Sequence, residues 1–133
     1  MATILIVEDE VFIRLTAEWA LEELGHHLLT AETVAEALVH LSAVGAIDAL
    51  FVDIRLHALG LGGYDVADRA IALRPGLPVL YTSGSSLTAE MSDRFVPAGQ
   101  FIQKPYSPAQ LGVAIQRLLQ EQTPMQSADL APA

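Results

Sequence analysis

Hydrophobic positions along this chain follow two rhythms. Short apolar runs mark candidate strands at residues 3–7, 27–30, 49–52, 79–82 and 100–103. The first, third and fourth are continuous rather than alternating, as expected of strands buried on both faces. Between them, longer stretches repeat apolar residues at helical spacing. One spans 11–24 and stops at Gly25, a residue suited to the position after a helix. Thr33-Val34-Ala35-Glu36 and Ser107-Pro108-Ala109-Gln110 read as capping boxes that open the second and last helices. A third helix over 64–74 ends before Pro75, and a short polar fourth lies near 88–94. Alternating strands and helices predict an α/β, flavodoxin-like three-layer sandwich. Its five-stranded parallel sheet has order 2-1-3-4-5 and is covered by five helices. Beyond Glu121 the apolar period is lost, so residues 1–121 are expected to form one domain and 122–133 a flexible C-terminal tail.

In the first helix Ile13, Ala17, Ala20 and Leu24 form one stripe, and Phe12, Leu15 and Trp19 a second. The economical reading buries both as one wide face. The alternative leaves the second exposed, to dock a kinase helix or another copy of the chain as a homodimer.

Charge and composition narrow the function. The net charge is −9, from 7 basic and 16 acidic residues, and the basic ones are scattered. A surface for nucleic acid needs clustered Lys and Arg, so no nucleic-acid partner is expected. With no cysteine there is no disulfide, thiolate metal site or thiol nucleophile. No apolar stretch is long enough to cross a bilayer and no secretory leader opens the chain; the expectation is no membrane partner and a cytoplasmic location. His26, His27, His40 and His57 lack metal-ligand spacing. Gly60, Gly62 and Gly63 suggest a dinucleotide loop, but Asp65 stands where that motif needs glycine, so loop flexibility is the better account.

Chemistry gathers at the strand ends. The first strand runs into Glu8-Asp9-Glu10, the third into Asp53, the fourth into Ser83-Gly84 and the fifth into Lys104-Pro105. In a sheet of this order those ends meet near the switch between strands 1 and 3. Clustered carboxylates repel unless a cation joins them, and magnesium favours one or two carboxylates with water and phosphate oxygens. A metal of that kind lets an aspartate approach an anionic phosphoryl donor. Lys104 can pair with Asp53 and then with a phosphoryl oxygen, and Ser83 can donate to another.

Ile-Val-Glu-Asp-Glu, Val-Asp followed by Ile-Arg-Leu, Thr-Ser-Gly and Lys-Pro occur in order, each after its strand. Together they resemble the receiver domain of bacterial two-component response regulators, the CheY-like family, over about residues 2–120. The resemblance implies that Asp53 is the phosphoacceptor. It implies magnesium held by Asp9 and Asp53 directly, by Glu8 through water, and by the backbone carbonyl of Arg55. Ser83 and Lys104 would bind the phosphoryl group, Ser83 and Phe101 would form the switch, and Pro105 would be cis. Thr82 is a rival for the switch hydroxyl, but strand alternation turns it away from Ser83. A stand-alone receiver would take phosphate from a histidine kinase or histidine phosphotransfer protein and signal to a downstream protein. It would catalyse only its own phosphorylation and dephosphorylation. Loop 56–63 lacks the proline usual in the family. A dehalogenase-type phosphatase also places an aspartate nucleophile after a strand, but needs a second acid where Arg55 stands.

Overall fold

The structure, a computed structural model, describes residues 1–56 and 60–122. His57 and the centre of the loop after Asp53 lie outside the described residues, as do residues 123–133 of the expected tail. The elements are β1 (Thr3–Val7), α1 (Val11–Glu23), β2 (His27–Ala31), α2 (Val34–Ser42), β3 (Ala49–Asp53), α3 (Gly62–Leu73), β4 (Val79–Ser83), α4 (Ala89–Asp93), β5 (Gln100–Gln103) and α5 (Pro108–Gln122). All strand pairs are parallel, in the order β2-β1-β3-β4-β5. This is the predicted flavodoxin-like sandwich.

The continuous apolar runs pack in both directions. Ile4, Ile6, Phe51 and Leu80 face α1 and α5, meeting Ala17, Leu21, Leu111 and Ile115. Leu5, Val7, Leu50, Val52 and Tyr81 face the other way, onto Ala37 and Leu41 of α2 and Val66, Ala67 and Ala70 of α3. Burying each large aliphatic side chain contributes about 1.5–3 kcal/mol, against about 1 kcal/mol for a helix cap. Packing therefore decides the fold, and the caps decide where its helices start and stop.

Those caps form as local chemistry dictates. Gly25, at φ 88°, follows α1; its N–H donates to Glu22 O and that of His26 to Leu21 O. This pair of bonds closes the helix's last carbonyls. Ser107 and Gln110 bond reciprocally, side chain to backbone, at 3.0 and 2.8 Å. At α2 the box is only half made. Thr33 Oγ1 accepts from the Glu36 N–H, while the Glu36 carboxylate accepts from Glu32 N instead of Thr33 N.

Two boundaries bear on the site. Strands β2, β3 and β4 each run one residue past the apolar run, because the ladder continues through Val7–Ala31, Asp53–Thr82 and Ser83–Gln103. Asp53 and Ser83 are thus held in the sheet rather than on loops. Helix α3 starts at Gly62, two residues before the expected position. The N–H of Gly63 donates to Ile54 O, and a Cβ at Gly63 would collide with the Asp53 carbonyl and sit 2.6 Å from Ile54 Cα. Gly63 is there for close approach, which corrects its reading as a loop-flexibility residue.

The economical reading of α1 is also corrected. Trp19 is 77 % exposed, Phe12 81 % and Leu15 50 %. Contact with the sheet and α5 consumes Ala17, Ala20 and Leu21; Leu24 of the first stripe is itself 51 % exposed, and the second stripe turns outward.

Candidate functional site

Four strand ends build the site. β1 delivers Glu8 and Asp9, β3 delivers Asp53, β4 delivers Ser83, and β5 delivers Lys104. One carboxylate oxygen from each of Glu8, Asp9 and Asp53 lies within 4.8 Å of the others. Lys104 Nζ bridges two of these acids, 2.9 Å from Glu8 Oε1 and 3.0 Å from Asp53 Oδ2. The other Asp53 oxygen accepts from the Arg55 N–H at 3.1 Å, which fixes the carboxylate against its own turn. Glu8 Oε2 accepts likewise from Glu10 N, and the Arg14 guanidinium donates to the Glu8 carbonyl. Both acids are nearly buried, Glu8 at 4 % and Asp53 at 5 % exposure.

Burial sets the electrostatics. It pushes the Glu8 carboxyl up to about 7; the hydrogen bond from Lys104 opposes the rise and the Asp53 charge reinforces it. Burial alone would lower the Lys104 ammonium, but its bonds to Glu8 and Asp53 outweigh this and hold it above its usual value. One ammonium therefore serves two buried carboxyls, with Asp9 beside them. An all-oxygen cluster with this excess of negative charge suits a hard divalent cation.

The hydroxyl and the aromatic residue lie farther along the sheet. Ser83 is buried, and its Oγ accepts from Ser85 N at 3.2 Å. The Lys104 N–H donates to the Ser83 carbonyl, tying β5 to β4 beside the acids, and the Lys104–Pro105 peptide is cis. Phe101 is not at the cluster. It joins an aromatic file on the α3 side, 6.2 Å from Phe95, which stacks on Tyr81 at 4.1 Å. Tyr81 in turn accepts from the Val96 N–H at 3.0 Å.

Sequence reasoning passed over one side chain. Tyr106 packs edge-on against Phe51 (5.8 Å), and burial, then the charges of Glu8 and Asp53, push its phenol well above the usual range. The signal available was its place directly after Lys104-Pro105.

Comparisons with known proteins agree with this architecture. The family described as the response regulator receiver domain matches residues 4–116. A response regulator receiver protein from Sinorhizobium medicae superposes with a TM-score of 0.81 at 31 % identity, over 91 % of this chain and 96 % of that one. A CheY-like receiver domain protein from Methanospirillum hungatei gives 0.81 at 28 % identity, over 94 % and 98 %. NtrX from Brucella abortus gives 0.83 at 30 % identity, over 97 % of this chain but 29 % of its own. Comparison with curated protein sequences gives no match. A fold, a strand order and a family match over most of the chain coincide: the chain belongs to the response regulator receiver domain family.

Proposed function

We propose that Asp53 accepts a phosphoryl group from a phosphohistidine on a histidine kinase or phosphotransfer protein, and that the domain signals to a protein partner through the resulting change of shape. The observation that carries this reading is the Lys104 bridge between Asp53 and Glu8 at the carboxyl edge of the sheet. A lysine so placed holds the acceptor carboxylate in position. When phosphate arrives, the same ammonium can pass to a phosphoryl oxygen without leaving the site. Ser83 would then give up its bond from Ser85 N to donate to a second phosphoryl oxygen.

The donor set of Glu8, Asp9 and Asp53 fits magnesium, with the Arg55 carbonyl completing the protein ligands. Bound there, the ion would neutralise charge on the transferring group. The chain's own work is positional. The Arg55 N–H and Lys104 orient the two Asp53 oxygens, and β3 holds them at the rim.

Inward movement of Ser83 pulls on the strand that carries Tyr81, and Tyr81 stacks on Phe95 and accepts from Val96 N. Phe101 is next in that file, which links the acceptor to the segment 85–100. Phosphoramidate, whose phosphorus–nitrogen bond imitates phosphohistidine, tests the reading. With magnesium it should yield a hydroxylamine-sensitive phosphoryl group mapping to Asp53, and chelation should abolish it. A label at another residue would contradict the assignment.

A further inference from the structure

A second hydroxyl lies beside the acceptor, and it has no partner. Thr82 is 1 % exposed, and its Oγ1 makes no hydrogen bond. Buried hydroxyls are normally satisfied, so an unpaired one is a standing cost to the fold. Thr82 is the register partner of Asp53 across β3 and β4. Side chains in register on neighbouring strands share a face, with the strands about 4.7–4.9 Å apart, so Thr82 and Asp53 are side-by-side neighbours on one face of the sheet. On that face Phe51, Leu80 and Ile102 have no side-chain acceptor to offer, and the phenol of Tyr106, packed on the same cluster, makes no bond to the Thr82 hydroxyl. In the resting state both Asp53 oxygens are already engaged, Oδ1 by Arg55 N and Oδ2 by Lys104 Nζ.

We infer that Thr82 is a further catalytic residue, whose hydroxyl donates to Asp53 Oδ2 while the bond between that oxygen and phosphorus is being made or broken. The inference rests on Asp53 being the acceptor. Once Lys104 has moved to a phosphoryl oxygen, Oδ2 has lost its donor. In hydrolysis, the oxygen of water forms a bond to phosphorus and the bond from phosphorus to Oδ2 breaks. Its electron pair stays on Oδ2, and both water protons leave with dihydrogen phosphate. Charge therefore grows on Oδ2 as the lysine is occupied elsewhere, and Thr82 is the hydroxyl placed to meet it. A bond made in the transition state and absent from the resting state speeds transfer in both directions.

The test compares wild type, Thr82→Val and Thr82→Ser, using acetyl phosphate and magnesium to load the domain and donor removal to follow decay. Thr82→Val should load and lose phosphate about tenfold more slowly, the effect of one hydrogen bond to a charged oxygen. Thr82→Ser should keep near wild-type rates. Thr82→Val should also be at least as stable to heat, since it removes a hydroxyl that bonds to nothing. Unchanged rates in Thr82→Val, equal slowing in Thr82→Ser, or a clear loss of stability in Thr82→Val would each overturn the inference. A wild type that takes up no phosphate would instead overturn the acceptor reading beneath it.

Discussion

At the scale of single residues, Glu8 decides how the site answers to pH. Its carboxyl is held up near 7 by burial, above the 4.5 usual for glutamate, so the folded protein binds a proton that the unfolded chain releases. Stability from this group is fully present below about 4.5 and is lost as pH rises through about 7. In chelator, the thermal midpoint of wild type should fall across that window, and Glu8→Gln should flatten the fall. A proton and a divalent cation compete for the same acids, so magnesium affinity should rise over the same window; titration calorimetry at several pH values measures it. The identities of Glu8, Asp9, Asp53, Ser83 and Lys104 were legible because each follows an apolar run and so must stand at a strand end. The Lys104 bridge was not legible as a distance, and neither was the orphaned state of Thr82. Strand alternation says which face a hydroxyl takes, but whether anything there accepts from it depends on three strands and their register.

At the scale of elements, β3 and α3 approach closely beside Asp53. Gly63→Ala would drive a methyl into the Asp53 carbonyl and Ile54 Cα, both backbone atoms that have no rotamer to retreat to. It should lower stability by about 1–3 kcal/mol, the range for an overpacked position, and, if Asp53 is phosphorylated as proposed, slow that step by shifting Asp53. Denaturant melts and loading rates check the two effects. Unchanged values in both would mean that α3 does not abut β3 in this way. In α1, quenching of Trp19, the only tryptophan, should be near that of a free indole, since the ring is 77 % exposed; strong protection would contradict the outward stripe. Most element ends were readable from Gly25, Thr33, Ser107 and Pro75. The α3 start was missed because glycines 60, 62 and 63 look alike in sequence, and only contact singles out Gly63. The face of α1 was misjudged because a helix packed on a sheet and α5 has room to bury one stripe, whereas periodicity counts both.

At the scale of the whole molecule, the sheet divides the work. Its carboxyl edge carries the acids and Lys104, and its β4–β5 side carries the aromatic file of Tyr81, Phe95 and Phe101. Helix α4 is five residues long and has no buried residue, although Thr88 caps it. Short helices with little burial open at low free-energy cost, so the response should concentrate there. Hydrogen exchange over residues 85–100 should change when a phosphoryl mimic binds, while β1 and β3 should not; equal exchange in both states would contradict the proposed link from Asp53 to that segment. All of this depends on Asp53 receiving phosphate. The most direct measurement is intact mass after incubation with acetyl phosphate and magnesium, wild type against Asp53→Asn. The account predicts a phosphate-sized gain in wild type alone. No gain in either protein, or the same gain in both, would contradict it.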